Sequence, residues 1–144
     1  MLSPQAYFVV LFVVCAYAFV RGRTDERVVA TTCLAASIAS VLVATQKASA
    51  YSHLEAGILL VDIGAFVAFT LVALKSERFW PLWVAGLQLT SSTAHLLKAI
   101  EWDLLPRAYG AAAIFWSYPI LLILAIATWR GQHQRSEAQR GAAA

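Results

Sequence analysis

The chain has 144 residues, of which 60% are hydrophobic and 13% charged, against roughly a quarter charged in a soluble domain; a domain this small has no interior for so much apolar surface, and lipid is the expected solvent. A net charge of +3 does not argue for nucleic acid, because the basic residues sit at the ends of apolar runs, where they orient helices. The two cysteines, Cys15 and Cys33, form neither a CxxC nor a CxxCH signature and read as small buried packing residues rather than redox or haem ligands.

The first apolar run predicts a helix over residues 4–20. Ala16-Tyr17-Ala18 has the small-x-small look of a leader cleavage site, but no Lys or Arg precedes the run, so the expectation is an uncleaved first helix. Arg21, Arg23 and Arg27 follow, with Thr24-Asp25-Glu26 between them as capping and acidic residues for the next helix start. That second helix is expected over residues 28–46. Thr32, Ala36 and Ser40 fall at four-residue spacing with Ala35 and Ala39 beside them, a small-residue face that lets backbones approach and places the helix at the centre of the bundle or at a subunit contact.

The third helix is expected over residues 56–74, an apolar run interrupted by Asp62 alone. The fourth, over residues 79–99, carries Gln88, Ser91, Ser92, His95 and Lys98, which a helical wheel gathers into an arc of about 120°. Pro81 fits a helix entrance. The fifth helix is expected over residues 108–129, with Pro106 at its entrance and Pro119 inside it, where the missing N–H and the crowded carbonyl of Phe115 predict a kink. Residues 131–144 are polar, Gln-rich and basic and are expected to be a disordered tail near anionic headgroups.

Each run is long enough for about 30 Å of hydrocarbon at 1.5 Å per residue. Alternate connections hold Arg21, Arg23, Arg27, Lys75, Arg78, Arg130, Arg135 and Arg140 on one side, and Lys47, Lys98 and Arg107 on the other. Cytoplasmic loops hold the basic excess, so the expected topology is N-out and C-in. Trp80, Trp83 and Trp129 at one level, and Tyr7, Trp102 and Tyr109 at the other, fit the two membrane interfaces. The fold class that follows is all-α: an integral membrane bundle of about five transmembrane helices, 1–130, with no soluble domain. Five short helices scarcely enclose a pathway and seal it too, so a homo-oligomer or a membrane partner subunit is expected.

A charged group inside hydrocarbon costs about 2.5 to 3.5 kcal/mol on insertion scales and needs partners or water. Asp62 is such a group, and Glu55, seven residues earlier, lies on nearly the same helix face. The short connection makes helices three and four an antiparallel hairpin whose turn at Lys75 to Phe79 sets the register. Asp62 then comes level with Ser92 and within a turn of His95, and Glu55 comes beside Lys98. The candidate ligand or ion residues are thus Asp62, His95, Ser92, Gln88, Glu55 and Lys98, in a cluster facing the periplasm. One reading is a proton, cation or small polar ligand site; the other is a set of groups that satisfy one another and hold the hairpin together. His53, Glu55, His95 and Glu101 match no metal-ligand spacing, and no catalytic motif occurs. No metal ligand set and no enzyme activity is therefore assigned, and the cofactor stays open.

The stretch Arg78-Phe79-Trp80-Pro81-Leu82-Trp83-Val84-Ala85-Gly86, with Phe115-Trp116-Ser117-Tyr118-Pro119, resembles a family of small multipass proteins of alphaproteobacteria. The resemblance implies a bacterial inner membrane and brings no activity and no functional residue with it. The functional expectations are a channel or transporter for protons or small cations, or a non-catalytic accessory subunit of a larger membrane complex.

Overall fold

The computed structural model describes the backbone of residues 4–45, 51–100 and 106–142, and side chains for 5–43, 56–97 and 115–142. Among the described residues there are five helices and no strand: α1 (Pro4–Arg21), α2 (Thr24–Thr45), α3 (Tyr51–Lys75), α4 (Trp80–Ile100) and α5 (Pro106–Ala142). Each helix packs on its neighbours in the chain, α1 closes on α5, and α2 also reaches α5. The helices therefore form a ring, with α2 touching three others. Leu11, Cys15 and Ala18 of α1, Val29 and Ala30 of α2, Phe69 of α3, Val84 of α4 and Leu121 and Leu124 of α5 form the buried core.

The connection between α1 and α2 is short because Gly22 lets the chain turn against its own helix. A Cβ there would collide with the Ala18 carbonyl oxygen and the Glu26 side chain. Arg23 then takes the N-cap position of α2, and Glu26, three residues on, reaches back to accept its backbone N–H at 2.8 Å. That is one half of a capping box. Asp25 and Glu26 in the first turn complement the helix dipole.

The same two acidic residues tie the first hairpin to the second. Glu26 is 1% exposed, and its Oε1 accepts an N–H from Arg78 at 2.9 Å. Asp25 Oδ2 accepts the Ser76 hydroxyl at 2.7 Å. On α5, Gly131 packs against this pair: a Cβ there would lie 3.3 Å from an Arg78 guanidinium nitrogen and 3.6 Å from Glu26 Oε1. The Tyr17 hydroxyl donates to Gln132 Oε1 at 3.0 Å, so α1 and α5 are joined at this end as well. We call the assembly the loop-end latch. From sequence, Arg78 and the basic residues around it read only as orientation signals; the pairing of Arg78 with Glu26 depends on the fold.

Three boundaries differ from those expected. α2 begins at Thr24 and α3 at Tyr51, several residues before the apolar runs, because charged and polar residues end a membrane run without ending a helix. α5 continues to Ala142 where a disordered tail was expected. Good helix formers fill the tail, Trp129 and His133 stack with ring centroids 6.0 Å apart, and His133 pairs with Glu137 at i,i+4. α5 also runs through Pro119 without a break.

Of the five expected spans, two helices among the described residues, Thr24–Val43 and Ala56–Lys75, are long and apolar enough to cross a membrane by length and composition. The apolar helix Gln5–Arg21 is shorter. α4 is diluted by Gln88, Ser91, Ser92 and His95, which point inward rather than to the surface. Large apolar side chains are exposed on all five helices. Val20, Leu60, Leu74 and Trp83 are 70–78% exposed, and Phe12 and Leu122 are exposed too. Polar Gln88, Ser91, Ser92 and Thr128 are buried instead.

Candidate functional site

Asp62 sits near the middle of the apolar helix Ala56–Lys75. One helical turn pattern on α4 supplies its partners, because Gln88, Ser91 and His95 at i, i+3 and i+7 share a face. Gln88 Nε2 donates to Asp62 Oδ1 at 3.0 Å, the Ser91 hydroxyl donates to Oδ2 at 3.2 Å, and His95 Nε2 lies 3.1 Å from Oδ2. Gln88 Nε2 also comes within 3.4 Å of the Asp62 backbone carbonyl. The Asp62 and His95 side chains are 15% and 10% exposed. Three polar groups from α4 thus surround one carboxylate from α3, which offsets its desolvation.

The expected register holds to within one residue. Asp62, Gln88 and His95 come together as expected. Ser92 does not join them: its hydroxyl turns back to the Gln88 carbonyl at 3.0 Å within α4, and Ser91 takes its place beside Asp62. The two serines lie about 100° apart around the helix, and the arc drawn from the sequence included both without choosing between them. Glu55 and Lys98 lie on α3 and α4, but their side chains, with those of His53 and Glu101, fall outside the described residues.

The cluster forms one wall of a cavity of about 390 Å³ to which all five helices contribute, within the range of small-molecule sites. Tyr7 and Phe8 come from α1; Cys33, Ala36, Ser37, Ser40 and Val41 from α2; Ile58, Asp62, Ala65 and Phe69 from α3; Gln88, Ser91 and His95 from α4; and Ser117, Ile120 and Leu121 from α5. The Tyr7 hydroxyl and Ser37 Oγ are 3.1 Å apart, and Tyr7 meets Tyr118 edge to face. Asp62 is thirteen residues from the end of α3 at Lys75, so the polar wall lies about 20 Å from the loop-end latch.

The cavity is the feature that sequence reasoning missed. Its signal was the small-residue face of α2, read as a close helix contact. Ala36 and Ser40 face the cavity, so the small side chains of α2 leave space inside the ring as well as allowing approach. Cys33 lines the same space, and Cys15 is buried with its thiol 3.6 Å from the Ala30 carbonyl. Among the described residues no group of three His, Cys, Asp or Glu side chains is placed to hold a metal ion.

No protein-family model, curated protein or solved structure matches the chain.

Proposed function

We propose that the chain is a five-span bundle of a bacterial inner membrane, N-out and C-in, that handles protons or small cations at the Asp62–His95 pair. Large apolar side chains exposed on every helix, with Gln88, Ser91 and Ser92 turned inward, are unlike the surface of a soluble helical domain. They support a membrane reading, as do the two helices long and apolar enough to cross. Arg21, Arg23, Arg27, Lys75, Arg78 and Arg130 gather toward the latch, and the positive-inside rule puts that end in the cytoplasm. The polar wall then belongs to the periplasmic half.

The observation that carries the functional reading is an ionisable pair on the wall of a half-open cavity between the helices, in a helix where a carboxylate is costly. Asp62 and His95 can share, accept or release a proton across one hydrogen bond, and Ser37, Ser117 and Tyr7 line the space they face. A second reading, a non-catalytic subunit with a structural cluster, draws on the saturation of Asp62 by three α4 groups. A purely structural cluster needs no cavity beside it, so we favour the first. Reconstitution into proteoliposomes tests it. Wild-type protein carries a flux of protons or common cations, and Asp62→Asn abolishes it while keeping the assembly intact, since the amide preserves shape but cannot ionise.

A further inference from the structure

We propose that the cavity takes a small organic ammonium, a positively charged nitrogen on an apolar body, and exchanges it for a proton. The inference rests on Asp62 being a working group, as argued above, and names what it binds. Among the described lining residues Asp62 is the one carboxylate, and His95, already on it, is the one side chain able to carry positive charge. Among the described lining residues no cationic side chain is therefore left over for an anion. An organic cation uses more of the site than an inorganic one does. Hard cations want a shell of oxygen lone pairs, whereas Gln88 Nε2 and the Ser91 hydroxyl present protons to the carboxylate.

The rest of the cavity suits an organic body. Phe8, Phe69, Ile58, Ile120 and Leu121 supply apolar walls, and a space of about 390 Å³ would be left largely unfilled by a bare ion. An aromatic face near a cation adds attraction where water is excluded. The ligand nitrogen pairs with Asp62, by an N–H if it is primary and by charge alone if it is quaternary, at the position that His95 Nε2 occupies at 3.1 Å. Two cations then compete for one carboxylate, so the ammonium enters as His95 gives up its proton, and charge balances. Among the described residues, the other titratable groups lining the cavity are Tyr7 from α1 and Cys33 from α2; α5 contributes Ser117 and apolar residues there.

Isothermal titration of the full chain in mild detergent tests this, with 2-phenylethylammonium, benzyltrimethylammonium and the neutral 2-phenylethanol as probes. Saturable binding of at least one ammonium is expected at pH 8, weakened at least tenfold at pH 5.5, where protons compete with the ammonium for the Asp62–His95 pair. Buffers of different ionisation enthalpy should report net proton release. Asp62→Asn and, as an independent variant that fills the cavity, Ala36→Leu should each weaken binding at least tenfold. Equal binding of phenylethanol, binding indifferent to both variants, or no binding of either ammonium overturns the proposal. A wild-type protein that conducts protons or inorganic cations yet binds no ammonium loses only this inference. One that does neither loses the functional reading as well.

Discussion

Glu26 on α2 is buried against Arg78, which follows α3 in the chain, with Oε1 2.9 Å from the guanidinium. The pair links two hairpins that the chain joins only through the distant α2–α3 connection. Removing one partner leaves an unpaired charge, at a cost of 3–5 kcal/mol when both are fully buried. Arg78 is 24% exposed, so Arg78→Ala is expected to cost about 2 to 3 kcal/mol. Thermal melting in detergent measures it. The double change Glu26→Gln with Arg78→Gln should cost less than the sum of the two single changes. Additivity would mean the pair is not coupled.

The register at the polar wall separates two neighbouring serines. Ser91→Ala removes a donor to the Asp62 carboxylate, worth about 1.5 to 3 kcal/mol for a bond to a charged group, and should alter transport or ligand affinity. Ser92→Ala removes only a bond back to its own helix and should leave both near wild type. A reversed order would restore the sequence-based register, with Ser92 facing Asp62.

Ala36, expected at a close helix or subunit contact, packs against the buried core and also lines the cavity. Ala36→Leu should therefore keep the native mass and nearly native melting temperature while reducing flux at least tenfold. Loss of assembly without a specific loss of function would return this face to the role of a packing contact.

The proposed orientation is open to reporter fusions. Alkaline phosphatase joined after Arg130 should be inactive in a bacterial host, and the same enzyme joined within the connection between α2 and α3 should be active. Strong activity after Arg130 would mean that a span is miscounted or that the basic residues do not orient the chain.

Much of this architecture is legible in the sequence because hydrophobic runs and loop lengths are local signals. Five runs give five helices, and a short connection after Lys75 makes α3 and α4 antiparallel, which brings Asp62 to Gln88 and His95. What escapes is decided by geometry across helices. Ser91 and Ser92 are equally polar and adjacent, and only the roll of α4 on α3 chooses between them. Glu26 and Arg78 are 52 residues apart, and their pairing depends on both loops lying at one end with Gly131 leaving room beside them. The cavity depends on what small side chains on α2 leave empty, whereas the helical wheel reports only what they permit to approach. The tail of α5 misled because polar composition suggests disorder, while helix propensity and the i,i+4 pair of His133 and Glu137 favour continuation.

If Asp62 ionises to do its work, ion flux through purified protein in sealed proteoliposomes between pH 5 and 8 reports it. Wild-type protein should carry a flux of protons or small cations that Asp62→Asn abolishes, with the variant matching the wild type in mass and melting temperature. Wild-type liposomes with no flux anywhere in that range, or an Asp62→Asn variant that conducts as well as the wild type, would contradict that role for Asp62.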